Sequence, residues 1–432
     1  MTDGIEELKR RTIINAFAII IFVALILEFA LELIGNLLNL KALKIESPTA
    51  LEGIYKAEDY RKSQEYIRAT TRFGLVGNSF ALFLLLAFWF SGGFNWFDQV
   101  VRAWNLVPLV SGLLYIGILV FVNSLLTLPF SIYGTFVIEE RFGFNRTTPR
   151  TFFLDRVKGL GLALLLGGTL LAGILALFQY AGSYAWLHCW AAVVIFSLAM
   201  QYVAPTWIMP LFNKFTPMES GELKEAILRY ARSVNFPIKN VFVMDGSKRS
   251  SKSNAFFTGF GRNKRIALFD TLIAQHTVPG MVAVLAHEVG HYKKKHILQG
   301  TIIGILHTGV IFFLLSLFLG SLDLYKAFYM RQESIYVGLL FFGLLYTPIE
   351  LVLSVVMQMF SRKNEYEADR FVAETIDDPC SLVDALKKLS AANLSNLTPH
   401  PFYVFLNYSH PPLLQRVQAI QGTKHKSKVA LG

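Results

Sequence analysis

The stretch LAHEVGHYKKKH, from Leu285 to His296, contains the residues of this 432-residue chain that are best suited to chemistry. His287 and His291 are four residues apart, so on a helix they point the same way one turn apart, with Glu288 beside them. Two imidazoles on one face can bind a metal ion, and the neighbouring carboxylate can take a proton from water. The HExxH pattern therefore indicates a metal-dependent hydrolase, although a charged surface helix can carry the same letters.

A third metal ligand is expected in the later segment SRKNEYEADRF. The metzincin spacing is excluded, since Lys294 and Ile297 stand where that motif requires Gly and His. Glu365 and Asp369 are four residues apart and share one helix face, whereas Glu367 falls on the opposite, solvated face. We expect Glu365 to bind the metal and Asp369 to accept the N–H of a metal-binding imidazole. Two histidines, one carboxylate and an open position for water are typical of catalytic zinc.

The composition predicts that the chain lies in a lipid bilayer. It is 53% hydrophobic and only 16% charged, and the apolar residues occur in long blocks. Crossing a bilayer takes about 20 apolar residues, and seven blocks are long enough. The first block exceeds the about 7–15 residues of a signal-peptide core, so we expect it to be retained. The predicted spans are Thr12–Leu38, Leu75–Phe90, Val107–Gly134, Leu160–Tyr180, Ala185–Ile208, Thr301–Gly320 and Ile335–Phe360.

The basic residues predict the orientation of these spans, because short loops rich in Lys and Arg stay in the cytosol. The loops before span 2 and after span 3 are rich in both, and the loops on the other face are poor. This pattern places the N-terminus outside or in the lumen and the metal site towards the cytosol. The membrane is then that of the endoplasmic reticulum in a eukaryote, or the inner membrane in a bacterium. The net charge of +11 concentrates on the cytosolic face, where it favours anionic lipid headgroups.

Two polar stretches are long enough to build one water-facing domain, split by the hairpin of spans 6 and 7. That hairpin returns the chain to the same face, so the histidine pair and Glu365 can meet. The predicted fold class is an all-α multi-pass membrane protein of seven transmembrane helices with a small split α+β catalytic domain. The predicted divisions are the membrane region with spans 1–5 (1–212), the first half of the catalytic domain (213–300), spans 6 and 7 (301–360), and its second half (361–432).

The first polar stretch contains the elements that would position the histidines. Asn240–Asp245 has the composition of a strand. NAFFTGF and RIALFD predict a β-hairpin that turns at Gly261 and Asn263. The helix with the histidines is entered after Pro279. This order predicts an active site beside an edge strand.

Five motifs together resemble those of a known family. They are HEVGH, SRKNEYEAD, SNAFFTGF (Ser253–Phe260), EERFGFNRTT (Glu139–Thr148) and YSHPPLLQR (Tyr408–Arg416). In this order they are similar to the M48 family of membrane zinc metalloproteases, most closely to its CAAX-protease branch of the Ste24 type. The likeness runs from the first span to the final helix.

The resemblance implies one zinc ion per chain, bound by the two histidines and Glu365 in a zincin-like (gluzincin) domain, with Glu288 as the base. It also implies that Asn254 holds the substrate backbone on the edge strand, and that His410 with Arg416 serves the transition state or orients the site. In that family seven spans enclose a large chamber with the zinc at its inner end. From spacing alone, His410 could instead cap a turn, and Asn254 could be a turn residue.

The resemblance suggests that the substrates are prenylated CAAX-type proteins that lose their last three residues. The alternative is a less selective protease that clears damaged membrane proteins without any need for prenylation. Peptide or protein substrates and membrane lipid are the expected partners. Nucleic acid is not, because no basic stripe with interleaved aromatic residues occurs. The sequence makes no prediction of oligomeric state.

A transporter is the alternative from another class. Glu28, Glu32 and Glu350 are carboxylates inside spans, which are costly unless they face water or a partner. They fit a hydrated cavity, and they also fit a proton- or ion-coupled transporter with a structural metal. A transporter explains neither HExxH nor Glu365.

Other charged residues are expected to have no catalytic role. Glu139, Arg141 and Arg146 are predicted to form a solvated cytosolic loop. Lys293–Lys295 are predicted to anchor the chain at the membrane interface before span 6. His296 receives no function.

Overall fold

The computed structural model of the chain describes residues 15–43, 57–238, 240–258 and 265–430. This part contains seven helices that are long and apolar enough to cross a membrane, which confirms the predicted membrane fold. The first three residues of predicted span 1, Thr12 to Ile14, lie outside the described residues. Spans 1 to 7 are Ala16–Ala42, Ala57–Phe90, Pro108–Glu139, Pro149–Tyr180, Gly182–Phe212, His296–Phe318 and Ile335–Thr375.

Span 7 is much longer than its apolar sequence predicted. Its 41 residues, at 1.5 Å each, make a helix of about 60 Å, twice the about 30 Å of a bilayer core. The apolar block ends at Phe360, but the backbone hydrogen bonds continue to Thr375. The helix therefore extends beyond the membrane and carries Glu365 and Asp369 with it. Span 2 is also longer than predicted, because its helix begins at Ala57 and not at Leu75.

Two of the three carboxylates inside the spans have polar partners. The Asn36 amide lies 3.4 Å from Glu32 Oε1, and His307 Nε2 lies 3.6 Å from Glu350 Oε2. Glu28 is exposed on the surface of span 1. Polar partners lower the cost of placing such groups at membrane depth.

A four-stranded sheet lies after span 5, with the order β1-β2-β4-β3. Strands β3 and β4 pair antiparallel, with Ala255 opposite Leu268, which confirms the two strands of the predicted hairpin. Its predicted turn residues, Gly261 and Asn263, lie outside the described residues. β3 is an edge strand, and the short β1 was not predicted. The strands are β1 Phe215–Pro217, β2 Asn240–Met244, β3 Ala255–Thr258 and β4 Arg265–Phe269.

Eight shorter helices complete the described part of the chain. The helix with the histidines, α4, begins at Val278, slightly before its predicted start after Pro279. The Thr277 hydroxyl accepts from the Gly280 N–H, and Pro279 lies in the first turn, where a missing N–H costs nothing. The eight are α1 Gly93–Ala103, α2 Glu222–Ser233, α3 Asp270–Gln275, α4 Val278–Lys293, α5 Leu322–Lys326, α6 Cys380–Ala392, α7 Pro401–Asn407 and α8 Leu413–Ala430.

One buried apolar cluster joins the two polar stretches of the sequence. Leu285 and Val289 of α4 pack in the same cluster as Val372 of span 7 and Val417 of α8. Burying this shared surface keeps the two stretches together, although spans 6 and 7 separate them along the chain. The exact division of the chain into domains stays a prediction.

Candidate active site

The three predicted metal ligands meet in the structure. His287 Nε2 and His291 Nε2 are 3.2 Å apart, and each lies 3.3 Å from one oxygen of Glu365. The histidines come from α4 and the carboxylate from the extension of span 7, so the site is built where these two helices cross. His287 and Glu365 are buried.

Gly290 lets the two helices approach closely at this crossing. A Cβ at this position would lie 3.1 Å from the Cα and 3.2 Å from the carbonyl oxygen of Ala368. Both are backbone atoms, which cannot move aside as the end of a flexible side chain could. A glycine between the two histidines is therefore what brings Glu365 within reach of them.

The donor set fits a zinc ion. Ligand atoms placed tetrahedrally about 2.0–2.1 Å from zinc lie about 3.3 Å from one another, which matches the three separations. Glu365 Oε2 is buried, with His287 Nε2 at 3.3 Å and the Arg416 guanidinium at 3.5 Å, but it makes no well-aligned hydrogen bond among the described residues. Buried polar atoms are rarely left unpaired, and a bound cation would satisfy this one. Among the described residues, His287, His291 and Glu365 form a group whose ligand atoms are close enough together to hold a metal ion.

Asp369 and Arg416 support His287 from behind. Asp369 Oδ1 accepts from His287 Nδ1 at 3.0 Å, as predicted, and this bond leaves Nε2 free for the metal. Arg416 donates two hydrogen bonds to the same carboxylate, at 2.8 and 2.6 Å. Burial alone lowers the pKa of His287, but the contacts with the carboxylates of Asp369 and Glu365 outweigh it and raise the pKa to about 9.

Replacing Asp369 with Asn is expected to weaken zinc binding by about 10–100-fold, the usual effect of removing a carboxylate behind a metal-binding histidine. The amide keeps the shape but removes the charge that favours the Nδ1–H tautomer. Competition for zinc with a chromophoric chelator measures the change. The same substitution at Asp378, which lies outside the site, serves as the control.

Glu288 lies beside the ligands at the cavity. It lines a cavity of about 350 Å³ together with His287, His291, Glu365 and His410. Burial raises the pKa of Glu288 above the ordinary carboxyl value. A raised pKa makes this carboxylate a better proton acceptor near neutral pH.

His410 faces the ligands from the other side of the cavity. Its Nε2 lies 3.3 Å from Glu365 Oε1, and the Ser409 hydroxyl lies 2.8 Å from its Nδ1. Arg362 donates to the carbonyl of Tyr408 at 2.6 Å, which fixes the loop that carries His410. The His410 side chain is exposed at the mouth of the cavity, and partial desolvation there lowers its pKa below the ordinary value, which favours the neutral imidazole.

Asn254 is a predicted site residue that does not line this cavity, and Asp369 and Arg416, which lie behind His287, do not line it either. Its side chain is exposed at the start of β3, where Oδ1 accepts from the Ala255 N–H at 2.9 Å. The preceding residue is held firmly: the side chain of Asn393 bonds the Ser253 N–H at 3.0 Å and the Ser253 carbonyl at 3.1 Å. The edge strand therefore starts from a fixed point, with Asn254 at its exposed end.

The prediction of a solvated loop is wrong for Glu139. Its carboxylate pairs with Lys252 at 3.0 Å, and Tyr66 donates its hydroxyl proton to it. Arg141 and Arg146 are exposed, as predicted. The end of span 3, at Glu139, is thus attached to the segment that enters β3. Sequence patterns could not reveal this pairing, because Glu139 and Lys252 belong to distant parts of the chain.

Two residues that lacked a predicted role lie behind His291. His296 is buried, and its Nδ1 lies 3.0 Å from His291 Nδ1. Glu367 Oε2 lies 3.2 Å from His296 Nε2, so the prediction that Glu367 simply faces solvent is wrong. Its position at the start of an apolar span is the sequence feature that could have drawn attention to His296, which received no predicted function.

The chain is similar to known proteins along most of its length. The family described as CAAX prenyl protease N-terminal, five membrane helices, matches residues 36–214, and peptidase family M48 matches residues 217–424. The chain is 36% identical to the CAAX prenyl protease 1 homolog of Arabidopsis thaliana over 416 residues, covering 93% of this chain and 97% of the relative. It is 36% identical to CAAX prenyl protease 1 of Saccharomyces cerevisiae over 414 residues, with coverage of 88% and 90%. The crystal structure of S. mikatae Ste24p is similar with a TM-score of 0.89 at 33% identity, covering 94% of this chain and 99% of that one.

Proposed function

The chain belongs to peptidase family M48, and since its relatives are CAAX prenyl proteases, we propose that it is a zinc endopeptidase of the membrane that cleaves prenylated substrates near their C-terminus. The observation that supports this most directly is the meeting of His287, His291 and Glu365 beside Glu288. Two histidines and one carboxylate leave a position open for water, as catalytic zinc sites do.

His287, His291 and Glu365 would hold the zinc ion, which would supply a Lewis acid able to lower the pKa of a water towards about 7 and to polarise a peptide carbonyl. Glu288 is placed at the same cavity, and its carboxylate accepts the proton of the attacking water. It then passes that proton to the nitrogen of the leaving amine. The raised pKa of Glu288 suits a group that must both take and return a proton.

His410 and Arg416 have different tasks in this mechanism. A neutral imidazole at His410 can donate an N–H to the oxygen on which negative charge develops, which is where such donors contribute most. Arg416 is buried and bonded to Asp369, so it orients His287 through that carboxylate. We assign His410 to the reacting atoms and Arg416 to positioning.

The substrate backbone would bind along β3. The outer edge of this strand can pair with an extended peptide, and such pairing is independent of the side chains of the peptide. Asn254, exposed at the start of the strand, can bond the substrate backbone there. Selection then depends on how a substrate reaches the site, and a prenyl group held in the membrane would deliver its C-terminus.

The location follows from the orientation expected from the basic loops. The site faces the cytosol, and the N-terminus is outside or in the lumen. The protein then resides in the endoplasmic reticulum of a eukaryote or the inner membrane of a bacterium, in contact with membrane lipid.

The proposal predicts cleavage of a farnesylated CAAX peptide and much slower cleavage of the same peptide without the farnesyl group. Detergent-solubilised protein is incubated with each peptide, with and without a zinc chelator, and the products are identified by mass spectrometry. Chelation should stop cleavage, and added zinc should restore it. Equal turnover of both peptides would favour a quality-control protease that does not depend on prenylation. Cleavage that resists chelation would exclude the zinc mechanism.

A further inference from the structure

A second set of hydrogen-bonding groups supports the zinc site from the side of His291. It consists of His291, His296 and Glu367, whose facing atoms are separated by 3.0 Å and 3.2 Å. His296 is the first residue of span 6, and Glu367 lies on the extension of span 7, two residues after Glu365. The start of span 6 and the extension of span 7 therefore both contribute to this set.

The backbone makes this contact possible by breaking the helix. In a continuous helix, His296 would lie about 140° around the axis from His291 and could not face it. Helix α4 ends at Lys293, and Lys295 then adopts a left-handed conformation with φ of 61°. This conformation is costly for a residue with a side chain, so the surrounding structure must hold it in place. The break turns His296 back towards His291.

The positions of the protons along this set are determined by the metal. His291 uses Nε2 for the metal, so its Nδ1 carries the proton and donates it towards His296 Nδ1. His296 must then accept at Nδ1 and carry its own proton on Nε2. That proton points at Glu367 Oε2, which accepts it. Each contact thus has one donor and one acceptor.

From this geometry we propose that His296 is a positioning residue for zinc: it accepts the Nδ1–H of His291, fixes the ring and tautomer of that ligand, and is itself oriented by Glu367. The inference deepens the proposed zinc peptidase function and depends on it. Nitrogen or oxygen acceptors behind metal-binding histidines commonly have this role. Here the acceptor is a second imidazole.

The two histidine ligands would then have different supports. His287 donates to the carboxylate of Asp369, which is buried and paired with Arg416. His291 donates to the ring of His296. The carboxylate of Glu367 contacts His296 and not His291 itself, and it is partly exposed. The charged acceptor should raise the basicity of its histidine more than the neutral one does.

Two amide substitutions of similar size separate positioning from packing. In His296→Asn, the amide oxygen takes the place of Nδ1 and can still accept from His291, but it cannot reach Glu367. In His296→Gln, the longer side chain places its amide near the position of Nε2, towards Glu367 and away from His291. Zinc affinity of the metal-depleted full-length protein in detergent is measured by chelator competition, and thermal unfolding of the same samples checks that each variant is folded.

We expect His296→Asn to lose only the zinc affinity that the contact with Glu367 contributes, up to about 10-fold, and His296→Gln to bind zinc about 10–100-fold more weakly than His296→Asn. A role in packing alone predicts the opposite order or no difference, because glutamine fills more of the space. Equal zinc affinity of the two variants would overturn the proposal. If the unchanged protein itself failed to bind zinc, the proposed function would fail first, and this inference with it.

Glu367 provides a second measurement. Glu367→Ala should weaken zinc binding by up to about 10-fold in the unchanged protein and have no further effect in the His296→Asn background, where its partner is gone. Glu374→Ala, an exposed position on the same helix, is the matched control. An equal effect of Glu367→Ala in both backgrounds would show that Glu367 does not act through His296.

Discussion

Replacing Glu288 with Gln is expected to stop peptide hydrolysis while the protein stays folded and keeps its zinc. The amide has the size of the carboxylate but cannot accept a proton from water. General acid–base groups contribute about 10²–10⁴-fold to rate, so turnover of the farnesylated peptide should fall by at least about a hundredfold. Single-turnover assays of cleavage, with the zinc content measured on the same sample, test this prediction.

The matched control for this prediction is Glu374→Gln, the same chemical change at an exposed position. It should leave both activity and zinc content unchanged. Glu288→Gln that kept more than a tenth of the activity would rule out this residue as the base. The variant also tests the alternative function: a transporter with a structural metal would keep its flux when this carboxylate is neutralised.

The second large effect is expected from Glu365→Gln, which should release zinc. This carboxylate is buried between two imidazoles and lies 3.5 Å from the Arg416 guanidinium, so it supplies the negative charge among the three ligands. An amide is a poor zinc ligand, and with two ligands left the site cannot hold the ion against a chelator. Metal analysis after dialysis should find about one zinc per chain in the unchanged protein and almost none in Glu365→Gln.

Asp369→Asn gives the comparison that makes this result specific. Asp369 lies one turn after Glu365 on the same helix, but its carboxylate contacts His287 Nδ1 and not the metal position. The expected loss of zinc affinity is therefore only partial. Excess zinc should restore the activity of Asp369→Asn fully and that of Glu365→Gln only in small part. Zinc retention by Glu365→Gln equal to that of the unchanged protein would show that another residue is the third ligand.

The local patterns of the sequence specified much of this structure. Spacing of four residues placed His287 with His291 and Glu365 with Asp369, because a helix repeats every 3.6 residues whatever surrounds it. Long apolar blocks specified the seven spans, because a bilayer core requires about 20 apolar residues for each crossing. The meeting of the histidine pair with Glu365 also followed, since two consecutive spans return the chain to the same side. The roles of His410, Asn254 and Arg416 came from family resemblance.

The tertiary structure decided the features that no periodic pattern encodes. The pairing of Glu139 with Lys252 joins distant segments. The close crossing at Gly290 depends on the fact that span 7 packs against the side of α4 where Gly290 has no side chain. The contact between His296 and His291 requires the left-handed residue Lys295, a conformation that sequence preferences disfavour. Periodicity describes which residues share a face of one element, whereas these contacts depend on where elements end and how they cross, and packing of the whole chain determines both.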